Sequence, residues 1–153
     1  MRYWYQHYFH TTRGRRALTE NRDELVRFLW NLWSPSWTFD DSTFEATTRL
    51  LANDDNVDVV IHSYMHRYGS VPGDPALEKI ESSLTGQLLI TVPTVVLHGA
   101  DDAVDIVNDS TDHVKHFAGP YERRVLGGVG HNIPQEAPKH FAEAIRSLRE
   151  YNP

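Results

Sequence analysis

Apolar positions recur at helical spacing through the first half of the chain and cluster at strand-like density only in the second. Leu25, Phe28, Leu29 and Leu32 form one stripe of the i, i+3, i+4, i+7 kind. Asn21, with Glu24 three positions on, is a capping-box variant that opens this helix and carries it to about Trp33. Ser34-Pro-Ser-Trp37 breaks it, and Asp40 or Asp41 caps a second helix that runs to about Ala52. Asp54 and Asp55 precede a third, in which Val57, Val60, Ile61, Tyr64, Met65 and Tyr68 share a face. Gly69 stops it, Pro72-Gly-Asp-Pro75 is a loop, and Ala76 to about Leu84 is a short helix ending at Gly86. Ahead of all these, residues 2–12 are aromatic on nearly every side, a segment expected to be buried between other elements or to line a cavity. Arg13-Gly-Arg-Arg16 reads as a basic turn on a solvated surface.

The character changes near Leu88. Thr94 to Leu97 is β-branched and apolar without alternation, the mark of a strand covered on both faces. A helix is expected from Asn108 to about Phe117, a second strand from Glu122 to Leu126, and a last helix from Pro138 to about Glu150. Strand, helix, strand, helix makes a βαβ unit with a covering helix, and the fold class is α/β. The chain therefore divides into a helical region, 1–87, and an α/β region, 88–153. Two parallel strands are a poor end point for a sheet, because the first leaves an unpaired edge. The rear is expected to be the end of a larger sheet whose other strands are absent from this chain.

At 153 residues with 40% hydrophobic and 24% charged positions, the composition is that of an ordinary soluble domain. A net charge of -6 with no Lys/Arg run argues against nucleic acid and anionic membranes as partners. With Cys 0, disulfides, thiol nucleophiles and zinc–thiolate sites are excluded. No apolar run approaches the roughly 20 residues of a membrane span. The first residues also lack the apolar stretch of about 7–15 residues that a signal peptide needs. A cytoplasmic protein is expected.

The candidate chemistry lies at the strand ends. After the second strand comes Val125-Leu-Gly-Gly-Val-Gly-His-Asn-Ile-Pro-Gln-Glu-Ala-Pro138, whose Gly127, Gly128 and Gly130 are read as shaping a loop that holds His131 above the strands. The first strand ends in Gly99-Ala-Asp-Asp102. A His and an Asp on neighbouring strand ends are two members of a nucleophile–His–acid triad. The acid is Asp101 or Asp102, and no residue presents itself as the third member. His62 with His66, His7 with His10 and His113 with His116 have metal-compatible spacing, but no third ligand accompanies them. They read as solvated faces, and neither metal nor cofactor is expected.

Val92-Pro-Thr-Val-Val-Leu-His-Gly-Ala-Asp-Asp102 and Gly130-His131, followed by Glu136-Ala-Pro138, resemble the C-terminal part of the α/β-hydrolase fold. The resemblance selects Asp102 as the acid and His131 as the general base, and makes the front the family's helical cap. Tyr3-Trp-Tyr-Gln-His-Tyr-Phe9 and His62-Ser-Tyr-Met-His-Arg67 are similar to the two cap segments of epoxide hydrolases. By that likeness Tyr5 and Tyr64 are substrate-binding donors to an epoxide oxygen, with Trp4 beside them. The departure is the nucleophile elbow and oxyanion segment, which family members carry ahead of the cap and which do not precede Met1. Gly69-Ser-Val-Pro-Gly73 has the wrong spacing for an elbow. The expectation is a partial α/β-hydrolase that is inactive alone and acts on a small molecule only when the missing N-terminal part completes it. The alternative is a non-catalytic fragment or binding module whose aromatic surface and open strand edge engage a complementing chain or a second copy.

Overall fold

The computed structural model describes residues 2–108 and 111–151. It divides into two compact units, Met1–Leu29 with Thr38–Thr85, and Trp30–Trp37 with Gly86–Pro153. The first unit is helical: α1 (Trp4–Tyr8), α2 (Thr12–Glu20), α3 (Arg22–Trp33, which from Trp30 onward groups with the second unit), α4 (Asp41–Leu50), α5 (Asn56–Arg67) and α6 (Glu78–Leu84). Tyr5, Phe9, Leu18, Leu29, Phe44 and Ile61 are its buried apolar residues.

Local chemistry accounts for three of the helix ends. Asp40 is the cap of α4, its Oδ1 accepting from Thr43 N at 2.7 Å. Across the α3–α4 connection, Arg27 donates to Asp41 at 2.8 Å and lies over the Phe44 ring at 4.0 Å. At the end of α5, Gly69 N bonds His66 O at 2.9 Å and Ser70 N bonds Met65 O at 2.8 Å, the paired closure of a Schellman motif. Residues 13–16 are not the expected basic turn but the start of α2. Thr11 Oγ1 accepts from Gly14 N at 3.0 Å, and this cap satisfies a first-turn donor and lets the arginines propagate a helix with their charges outward. The α3 stripe is also only partly covered: Leu29 is buried, but Phe28 is 53% exposed, with its ring against the Trp4 ring at 6.3 Å.

In the second unit β1 (Thr94–Gly99) and β2 (Tyr121–Leu126) pair in parallel, from Thr94↔Tyr121 to Gly99↔Leu126. A 3₁₀ helix (Thr111–His116) lies on the crossover where an α-helix was expected over 108–117, of which 109 and 110 lie outside the described residues. Val114 is exposed, so this segment buries too little apolar surface to favour propagating an α-helix. Then come α7 (Ile133–Glu136), which the sequence did not announce, and α8 (Pro138–Leu148). Leu126, Val129 and Ala137 form a small buried cluster with Ile133 packed on it. Arg124 grips Glu122 with two bonds, 2.6 and 2.8 Å, and reaches Ser147 on α8 at 3.0 Å. The guanidinium holds the Glu122 carboxyl below the usual range.

Thr94 N donates to Pro120 O and Ala100 N to Leu126 O. In a parallel ladder the alternate residues, Val95 and Leu97, then turn their backbone groups to the opposite edge. No described strand pairs with that edge. On the side-chain face of the same two residues is a cavity of about 400 Å³, walled also by Ile133, Phe141, Ile145 and His131.

Candidate active site

Asp102 sits in the turn that follows β1 and is only 9% exposed. One carboxylate oxygen accepts from Val104 N at 2.7 Å and Asp105 N at 3.0 Å; the other lies 2.9 Å from His131 Nδ1. A carboxylate so placed selects the imidazole tautomer with its proton on Nδ1. Asp101 is exposed, so of the two adjacent acids only Asp102 reaches the ring. Two glycines shape the His131 side. Gly128 has φ +71, and a Cβ on Gly130 would come 2.6 Å from the Ser34 backbone. Gly127 has neither a positive φ nor a neighbour within 4 Å of a built Cβ, which corrects the expectation that all three glycines shape the loop. His131 is partly open, its side chain 38% exposed, with Trp33 edge-on at 5.7 Å. Its Nε2 has no hydrogen-bond partner among the described residues, and the ring lines the cavity beside β1.

Behind the ring lies a polar cluster that the sequence reading missed. Ser34, 1% exposed, donates to Glu136 Oε1 at 2.6 Å and accepts from His131 N at 2.9 Å. Glu136 also accepts from Gly130 N at 2.6 Å and Asn132 N at 2.8 Å. Glu136 was visible only as a letter in a motif. Ser34 gave no signal, because a serine before proline at a helix end reads as punctuation.

The expected substrate residues lie in the first unit. Tyr5 and Tyr64 stand together, ring centroids 6.0 Å apart and nearly perpendicular. Phe9 packs against both, at 6.1 and 5.8 Å. Tyr5 OH accepts from Gln6 Nε2 at 3.2 Å, and Gln6 Oε1 accepts from Tyr68 OH at 2.7 Å. Burial, and then the neighbouring Tyr5, push the Tyr64 phenol up to about 12, so it remains a proton donor at neutral pH. Trp4 lies edge-on to Tyr5 at 6.3 Å.

No family model matches the sequence, and no curated protein is a significant match. Among solved structures, a candidate epoxide hydrolase from Klebsiella pneumoniae superposes with a TM-score of 0.89 at 38% identity, over 95% of this chain and 48% of that one. This chain carries part of the α/β-hydrolase fold. The fold likeness extends to a serine hydrolase involved in carbazole degradation (TM-score 0.57, 21% identity, 86% of this chain and 48% of that one). It extends also to Cfl2 of Burkholderia cenocepacia (TM-score 0.66, 18% identity, 98% and 47%). The chain spans about half the length of each of these structures.

Within this partial α/β-hydrolase fold, Asp102 and His131 follow the two parallel strands and come together, as do Tyr5 and Tyr64 in the helical unit. The histidine pairs have other company: His62 and His66 stack at 6.2 Å, and His66 lies 3.6 Å from Glu81. Among the described residues no group of three or more ligand-type side chains is placed to hold a metal ion. No helix among them is long and apolar enough to cross a membrane.

Proposed function

We propose that this chain contributes the acid and the base of a hydrolase of the epoxide-hydrolase kind, acting on a small epoxide or ester. In this reading His131 Nε2 takes a proton, either from a serine nucleophile or from the water that opens an ester formed on an aspartate nucleophile. Asp102 holds the Nδ1 proton and stabilises the imidazolium. The observation that carries the reading is the 2.9 Å approach of Asp102 to His131, with no described residue bonded to the opposite ring nitrogen. The helical unit is the cap, in which Tyr5 and Tyr64 donate to the epoxide oxygen as negative charge develops, with Trp4 beside them. The name of the 38%-identical neighbour supports the choice of epoxide over other substrates.

The nucleophile and its elbow belong, in this proposal, to polypeptide outside residues 1–153, and the chain by itself is inactive. The purified chain is expected to leave a styrene-type epoxide and an aryl ester at the uncatalysed rate. Turnover that disappears in His131→Ala would refute inactivity alone while keeping the base.

One observation favours a second reading, the edge of β1 at Val95 and Leu97 that no described strand pairs: a binding module that accepts a strand from a complementing chain or a second copy. Mass measurement by size exclusion with light scattering separates the two. A cooperatively melting monomer counts against an edge that needs cover.

A further inference from the structure

We propose that Ser34 and Glu136 are positioning residues that set the His131 imidazole on Asp102. The inference rests on the reading of His131 as the base, but its geometry stands separately. Three consecutive main-chain donors, Gly130 N, His131 N and Asn132 N, converge on two side chains. Glu136 takes the first and third, Ser34 takes the second, and the serine hydroxyl joins the pair by donating to the carboxylate at 2.6 Å. Asn132 Nδ2 adds a bond to Ser34 at 3.2 Å, and Asn132 N lies 3.4 Å from the same oxygen. Bonds to a carboxylate are stronger than neutral ones, so the loop is held by its strongest available acceptor.

The stretch that carries Ser34 also touches the acid's side. Trp33 O accepts from Ala103 N at 3.1 Å, in the turn that presents Asp102, and the Trp33 ring meets the His131 ring edge-on. Trp33 and Ser34 thus form one reference point for both members of the pair. Ser34 N is already satisfied by Trp30 O at 2.9 Å, leaving the hydroxyl for residues a hundred positions downstream. The absence of a Cβ on Gly130 is what lets the loop approach Ser34 this closely. Small displacements of a catalytic group cost disproportionately in rate, so holding the main chain on both sides of His131 holds the chemistry.

The test uses Glu136→Gln, which keeps the volume but replaces one acceptor oxygen by a donor facing donors. The readout is the His131 imidazole followed by long-range ¹H–¹⁵N NMR at a pH where the ring is neutral. The parent is expected to show a single Nδ1–H tautomer, and Asp102→Asn to lose it. Glu136→Gln is expected to show a mixture of tautomers and a changed Trp33 ring-current shift on the His131 ring protons. Amide exchange at residues 130–132 should quicken about tenfold or more while β2 stays protected. Ser34→Cys, which keeps the shape and weakens the bonds, should move the same signals less and serves if the glutamine variant fails to fold. A tautomer and ring shifts identical to the parent's in both variants overturn the positioning role. An Nδ1–H tautomer that survives Asp102→Asn overturns the base reading instead.

Discussion

In the first unit the Tyr5, Phe9 and Tyr64 rings pack on one another, with Gln6 joining Tyr5 to Tyr68. In the second, Ser34, Asp102 and the stretch from Gly130 to Glu136 are joined through bonds of 2.6 to 2.9 Å. Burial of ring surface spreads its energy over area, so it is sensitive to volume removed. A hydrogen-bonded knot holds a few atoms in one arrangement, and is sensitive to volume added or a donor reversed.

The largest expected effect breaks the aromatic side. Phe9→Ala leaves a hole between Tyr5 and Tyr64 and should cost about 3–5 kcal/mol, read from the urea midpoint of the transition that reports α1 and α5. An effect below about 1 kcal/mol would mean the rings close up and the packing account is wrong. Next is the polar side. Gly130→Ala drives a methyl into the Ser34 backbone and should cost about 1–3 kcal/mol, whereas Gly127→Ala, with nothing within 4 Å, should be near neutral. Equal costs at the two glycines would erase the contrast.

The smallest effect sharpens the comparison at high pH. Tyr64 titrates at about 12 in the folded chain, above the roughly 10 of an unfolded tyrosine. Its contribution is therefore complete below about pH 10 and lost as pH rises through about 12. Melting temperatures across that interval should fall more steeply for the parent than for Tyr64→Phe, and parallel curves would remove Tyr64 from the account.

β1 and α8 were legible because a β-branched run and a proline at a helix start act locally. That Asp102 and His131 would lie together was legible because each follows one of two neighbouring strands. The start of α2 was misread because Gly14 and three arginines suggest a turn, while Thr11, whose hydroxyl decides the matter, precedes them. The hydrogen bonds of Ser34 were illegible for a deeper reason. Its partners lie at the other end of the chain, and no periodicity or cap signal connects Trp33-Ser34 to Gly130-His131. Hydrophobic patterns announce elements; they do not announce which polar atom will meet which across a hundred residues.

The carboxylate of Asp102 is lopsided. Because Val104 N and Asp105 N claim one oxygen, the two halves of the group are not interchangeable, and the imidazole always sees the same one. An amide in its place would give its oxygen to those main-chain donors and turn its NH₂ on the ring, handing the proton to the far nitrogen. The handedness of the imidazole is thus written into the main chain of a short turn, and a change at Ala103 that touches neither Asp102 nor His131 would rewrite it.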